Sequence, residues 1–339
     1  MNKSTIYLFA LFNVFWILGC HGTDPAGSGN ESIIMRTPLF AGLNDSIRQF
    51  PKDASLYFRR AELLSQINQH ELASADFRRS WDLKPVAETG LHYVSNLSIL
   101  GRPAEKLALL QDCIQHFPDS LQFRRRLGEA YAEAGQSKDA LELYNNLLRK
   151  DSLDFETWYE KGLLLEEMKD TSEAIGALSK AFNLQPVNTY ALELAHLYAE
   201  NKDPLALNIC DQIIANDPAR QLPDPFFIKG IYYSNTKQYN LAVLQFDSCI
   251  RLDWKFSDAY IEKGIAFFKQ NNYDGALNTF RMAATVSNIN PDAYYWIGRC
   301  YEAINKKDEA ILNYERAAAL DKNFKEAREA LRRVRAAGS

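Results

Sequence analysis

The chain has 339 residues, of which 47% are hydrophobic and 24% charged, the balance of an ordinary folded protein rather than a disordered one. A net charge of −4 gives no general attraction to nucleic acid or to anionic lipid, both of which require a basic face. The length exceeds the ~50–200 residues of a typical single domain, which leaves either several domains or an extended repeat array.

The first segment carries one basic residue, Lys3, followed by Ile6 to Gly19, which is apolar apart from Asn13. Such a run matches a secretory signal peptide and is shorter than the ~20 residues that cross a bilayer as a helix. No small-x-small cleavage site follows. Instead Ile17-Leu18-Gly19-Cys20 resembles the lipobox of bacterial lipoproteins. The resemblance implies removal of residues 1–19, lipidation of Cys20, and a protein held on a membrane by its lipid anchor only. Each buried methylene of an acyl chain contributes about 0.8 kcal/mol, so more than one chain gives durable anchoring. His21 follows the cysteine, not the Asp that retains many such proteins at the inner membrane, so the outer membrane of a cell envelope is the expected location. Residues 20–38 are rich in Gly, Ser and Pro and read as a tether, reaching roughly 20–25 Å as flexible coil.

From about residue 54 onward the chain repeats itself. Ala73, Ala140, Ala174, Ala206, Ala242, Ala276 and Ala310 occupy one slot, filled once by Lys106, at intervals of 32 to 36 residues. A period this close to 34 signals stacked helix pairs. Twelve residues before the slot stand Gly128, Gly162, Gly230, Gly264 and Gly298 in five of the units. Each glycine inside a helix costs about 1 kcal/mol relative to alanine, so their phase demands a reason, and close helix approach is the natural one. Four residues after the slot come large groups such as Phe77, Tyr144, Phe246, Phe280 and Tyr314. Pro85, Pro118, Pro186 and Pro218 end the second helix of their units.

An aromatic such as Trp158, Tyr260 or Tyr294, then Gly, Tyr, Ala, Phe and Pro at fixed offsets, resembles the tetratricopeptide repeat across about 285 residues. The resemblance implies an all-α fold, a right-handed superhelical solenoid of about eight helix pairs. Residues 325–335 read as a capping helix with Ala327, Leu331 and Val334 inward, since a stacked array otherwise ends in exposed apolar surface. The longer junction "DPARQLPDPFF" carries Pro218, Pro223 and Pro225 and suggests a division into 39–218, with units one to five and a short leading helix, and 219–339.

Chemistry-bearing patterns are scarce. Cys113, Cys210, Cys249 and Cys300 fall at packing positions without C-x-x-C spacing, and the five histidines form no cluster, so no metal or cofactor is expected. Glu166 and Glu167, adjacent on a helix, point about 100° apart and cannot share a catalytic role. The chain therefore reads as a non-enzyme, although a helical-toroid hydrolase is an alternative.

In the resembled family the first helix of each unit lines the concave side. At the corresponding positions Phe227, Ile231, Ile261, Ile265, Phe268, Tyr295 and Arg299 would form an apolar groove for a protein or peptide partner. Glu129, Glu133, Glu166, Glu167 and Glu200 recur near the ends of three successive first helices and would suit a basic partner. The basic-and-asparagine pattern by which some relatives clamp a carboxy-terminal carboxylate is missing: Phe58, Glu62, Leu91, Ser95, Tyr159 and Leu163 stand there instead. The expectation is a membrane-anchored scaffold or adaptor that binds protein, not nucleic acid. A constitutive subunit of an outer-membrane assembly or secretion machine is the alternative.

Overall fold

The computed structural model describes residues 34–336; Cys20, the apolar leader and most of the tether segment lie outside them. Among the described residues there are eighteen α-helices and no strand. A leading helix α1 (Pro38–Gln49) precedes eight pairs: α2 (Ala54–Gln66) with α3 (His70–Leu83), α4 (Ala87–Ile99) with α5 (Pro103–His116), α6 (Leu121–Glu133) with α7 (Ser137–Lys150), and α8 (Phe155–Glu167) with α9 (Thr171–Leu184). Then follow α10 (Asn188–Glu200) with α11 (Leu205–Ala215), α12 (Asp224–Asn235) with α13 (Tyr239–Leu252), α14 (Ser257–Lys269) with α15 (Tyr273–Val286), and α16 (Pro291–Ala303) with α17 (Lys307–Leu320). Helix α18 (Lys325–Ala336) closes the array. Packing divides the chain into two compact units, with the division between Asp119 and Ser120. The first holds α1 to α5 and the second α6 to α18.

All eight pairs turn in the same way. Asn68, Gly101, Gly135, Lys169, Lys202, Lys237, Asn271 and Asn305 each follow a first helix with φ between 59° and 74°. The next residue's N–H then donates to a carbonyl five residues back, as Gln69 does to Leu64 and Lys306 to Tyr301, at 2.7 to 3.0 Å. This is a Schellman closure, which satisfies carbonyls the helix end leaves open. Only two of the eight left-handed positions are glycine.

Six of the eight second helices end on one of two devices with one outcome. Pro85, Pro118 and Pro186 directly follow the C-caps of α3, α5 and α9, where a residue without an amide hydrogen stops the helix. After α7, α13 and α17 there is no proline. Instead Asp151, Asp253 and Asp321 accept, through Oδ1, from the backbone N–H two residues on at 2.8 to 2.9 Å. An Asx turn replaces the proline.

The interior is built from the slot residues. All seven alanines of the series are fully buried, and Lys106 is only 2% exposed. Each in-phase glycine faces the large residue of its own pair: a Cβ on Gly264 would stand 2.4 Å from Phe280 Cε1, and one on Gly230 the same distance from Phe246 Cε1. The glycine and the large residue, separate landmarks in the sequence, are one contact in the fold.

In the first unit, α1 is pinned by Arg60. Its Nε and Nη2 donate to Asp76 at 2.6 and 2.7 Å, and its Nη1 donates to Asn44 Oδ1 at 2.7 Å. Asn44 Nδ2 in turn donates to Met35 O, and Thr37 Oγ1 to Ile34 O. Residues 34–37, at the end of the segment read as a tether, are thus held against α1. At the other end Ala330 and Val334 of α18 cover Ala310 and Tyr314, with Leu331 packed alongside. Arg333 pairs with Glu302 at 2.8 Å, and the Tyr314 hydroxyl donates to the same carboxylate at 2.7 Å.

Candidate partner-binding surfaces

The first helices of the second unit carry a row of carboxylates. Glu160 on α8, Glu193 on α10 and Glu262 on α14 occupy the sixth position of their helices and are half-buried. Asp224, Asp258 and Asp292 recur at intervals of 34 residues on α12, α14 and α16. Burial pushes Glu160 up to about 7, and the neighbouring Glu129 pushes the same way while Arg125 and Arg126 oppose it. Burial, then Glu166 and Asp224, push Glu193 up to about 7. Burial, then Glu200, Asp258 and Asp292, do the same to Glu262. Asp224, Asp258 and Asp292 are also raised, chiefly by burial. A carboxylate loses hydration in a crowded groove while like charges gather round it, so both effects favour the protonated form.

Of the five acids singled out from the sequence, Glu129, Glu166 and Glu200 join this row, each acting on one of the deeper glutamates. Glu133 and Glu167 are exposed at the ends of α6 and α8. Sequence reasoning missed Glu160, Glu193 and Glu262 because it weighed the last turn of each first helix. The 34-residue recurrence of Asp224, Asp258 and Asp292 was a visible signal of the same face.

The apolar set divides. Phe227, Ile231 and Ile261 are only 4%, 6% and 8% exposed, so these three residues of the expected groove offer little surface in the array. Phe227 lies 5.0 Å from the Phe256 ring and 5.9 Å from Phe246, and Ile261 joins the core with Phe280 and Ile297. The stack supplies its own covering for these side chains. Ile265, Phe268 and Tyr295 are half-buried against that core. The Arg299 guanidinium sits 5.4 to 5.8 Å from the ring centres of Phe268, Tyr295 and Trp296 and donates to the Tyr295 hydroxyl at 3.0 Å. It covers the aromatic cluster by cation–π contact. What a partner can reach is therefore Ile265, Phe268, Tyr295 and Arg299 beside the carboxylates.

Cys113, Cys210, Cys249 and Cys300 are buried free thiols. Burial pushes Cys113, Cys210 and Cys300 up to about 12, and Cys249 in the same direction, which leaves them unreactive as nucleophiles. Among the described residues no group of three His, Cys, Asp or Glu could hold a metal ion. No helix among them is long and apolar enough to cross a membrane.

Comparison with known proteins gives the fold a context. Family models described as tetratricopeptide repeat match residues 54–86, 100–155, 125–189 and 261–323, and no enzyme family is indicated. A tetratricopeptide repeat protein from Parabacteroides merdae superimposes with a TM-score of 0.61 at 16% identity, over 73% of this chain and 98% of that one. Yeast Tom70 gives 0.58 at 18% identity over 84% and 59%. Among sequences, Superkiller protein 3 of Schizosaccharomyces pombe is 25% identical over 177 residues, covering 50% of this chain. The BBSome complex member BBS4 homolog of Drosophila melanogaster is 21% identical over 282 residues, covering 79% of it. The chain spans only 12% and 58% of those two relatives' lengths.

Proposed function

Because the chain belongs to the tetratricopeptide repeat family of protein-interaction scaffolds, we propose that it is an adaptor that holds a basic protein segment along the first-helix carboxylates of α8 to α16, at the surface of an envelope membrane. One observation carries the choice of partner. Glu160, Glu193 and Glu262 are crowded by other acids and make no ion pair among the described residues. A segment bearing Lys or Arg would supply the missing counter-charge, while Ile265, Phe268 and Tyr295 offer apolar contact for its intervening side chains. Glu129, Glu166 and Glu200 form the outer ring of the same field, and Glu133 and Glu167 its exposed margin.

The membrane part of the proposal rests on Ile17-Leu18-Gly19-Cys20 and the polar stretch after it. With Cys20 lipidated the array would stand off the headgroups on the residues that precede Ile34. Cross-linking in intact cells, compared between the native chain and Cys20→Ala, tests both parts together. The proposal requires that Cys20→Ala releases the protein from membranes and changes what is captured. A triple Glu160→Gln, Glu193→Gln, Glu262→Gln variant should stay on the membrane and lose basic partners; unchanged capture would remove the carboxylate row from the reading.

A further inference from the structure

A rung recurs between the second helix of one pair and the first helix of the next. Lys263 Nζ donates to Asp247 Oδ1 at 2.6 Å, Lys229 pairs with Asp211, and in the first unit Arg78 Nε donates to the Tyr93 hydroxyl at 3.1 Å. Asp211 and Asp247 stand five residues after the buried Ala206 and Ala242, and each lysine directly precedes its in-phase glycine. The charged rung is particular to these junctions: α15 and α16 carry Arg281 and Ile297 at the two positions, and between α7 and α8 only the lysine is present. Lys161 precedes Gly162 in the same way, but five residues after Ala140 stands Asn145, an amide that supplies no counter-charge. Lys161 makes no ion pair among the described residues and rests its ammonium 5.3 Å from the centre of the Trp158 ring.

At this place the surface opens into a pocket of about 680 Å³. Lys138 and Arg149 line it together with Lys161, and Glu142 is the only acid among the lining residues. Arg149 hydrogen-bonds to Asn146 Oδ1 and has no carboxylate partner among the described residues. The apolar walls are Leu141, Leu148 and Trp158, whose indole N–H is already spent on Ser152 O at 2.9 Å. Three cations with one acid, around an aromatic wall, make an excess of positive charge in a chain whose net charge is −4.

We propose that this pocket binds an acidic peptide segment, a Glu or Asp side chain taken by Lys161 and Lys138 with a neighbouring apolar side chain against Trp158. Lys161, with Asn145 rather than an acid across from it, sets the chemistry: the ligand's carboxylate takes the role that Asp247 plays toward Lys263. A carboxylate held by an ammonium makes a charge-assisted hydrogen bond, about twice as strong as a neutral one. Nucleic acid is the poorer match, because it requires a basic stripe that follows many phosphates and here the cations are confined to one pocket. Lys161 and Glu160 point about 100° apart on α8, so the pocket is separate from the carboxylate row and stands or falls apart from it.

The test measures binding of a fluorescein-labelled peptide, Glu-Leu-Glu-Phe-Glu, to the full chain by anisotropy, against a Gln-Leu-Gln-Phe-Gln control. The decisive variant is Asn145→Asp, which introduces the rung seen at Lys263 and Asp247 and pairs Lys161 internally without disturbing the helices. It should leave the melting temperature unchanged or higher and weaken peptide binding by about tenfold or more, and Lys161→Glu with Lys138→Glu should do the same. Lys322→Glu, on an exposed residue outside the pocket, removes more positive charge than Asn145→Asp does and should nevertheless leave binding within about twofold. The proposal is overturned if the Gln peptide binds equally well, if Asn145→Asp binds like the native chain, if Lys322→Glu weakens binding as much as the pocket variants, or if inorganic phosphate or an oligonucleotide competes as effectively as unlabelled acidic peptide.

Discussion

Gly264 and Phe280 meet where no side chain on the glycine could fit: its Cβ would lie 2.4 Å from one ring carbon and 2.7 Å from two others. Phe280 is fully buried and stacks 5.7 Å from Trp296, so it has no room to retreat. Gly264→Ala should therefore destabilise the protein by about 1–3 kcal/mol, the cost of overpacking, in spite of alanine's better helix propensity. Gly176, also inside a helix, has nothing within 4 Å of a built Cβ. Gly176→Ala should stabilise by up to about 1 kcal/mol. Urea denaturation followed by circular dichroism reads both signs, and equal shifts would sink the packing account.

The left-handed turn residues make a second prediction. Lys169, Lys202 and Lys237 adopt φ of 62° to 64°, a region that costs an L-residue roughly 1–2 kcal/mol. Lys169→Gly should raise stability by about 0.5–1 kcal/mol after allowing for the greater freedom glycine gives the unfolded chain. Gly135→Ala, at φ 74°, should lower it. The melting temperatures of the two variants should move in opposite directions.

Arg60 supplies a third. It and Asp76 are nearly buried, with side chains 14% and 7% exposed, and they form a bidentate pair. Arg60→Ala leaves Asp76 buried without its partner and should cost about 3 kcal/mol or more. Replacing both with Arg60→Met and Asp76→Leu should cost much less, because no charge is stranded. Since Arg60 also holds Asn44 of α1, hydrogen exchange in Pro38–Gln49 should accelerate in the first variant.

The pH dependence has a definite sign. Glu160, Glu193 and Glu262 ionise near 7 in the folded protein and near 4.5 when unfolded, so between these values the folded state binds more protons. Their contribution to stability is therefore present at low pH, falls as pH rises from about 4.5 to about 7, and is flat above that. The melting temperature at pH 5 should exceed that at pH 7.5, and the triple glutamine variant should narrow the gap. A gap unaltered by the triple variant would assign the effect to other groups.

The repeat was legible in the sequence because its landmarks are local and periodic. The buried alanines, the in-phase glycines and Pro85, Pro118 and Pro186 all act within one pair or at one helix end, so their spacing alone reveals them. What they touch was less legible. Nothing in the spacing says that Gly264 exists for Phe280, sixteen residues on, and the shared left-handed turn is masked by the use of Lys, Asn and Gly in one role. Likewise Asp151, Asp253 and Asp321 stand in for proline through a side-chain hydrogen bond that composition does not announce. The burial of Phe227, Ile231 and Ile261 was not legible because it depends on neighbouring pairs, as with Phe227 against Phe256. The deep glutamates escaped notice for the same reason, since their altered ionisation is a property of crowding rather than of residue type.

Asp224, Asp258 and Asp292 return every 34 residues, and Glu326 continues the series on α18, where its charge acts on Asp292. The distance between successive charges is consequently fixed by the rise of one helix pair and not by the reach of any side chain. A partner with basic groups at a matching pitch would engage several at once, and one with the same charges at another pitch would engage one. The column is in effect a ruler graduated in repeats, able to distinguish two ligands of identical composition by the spacing of their charges.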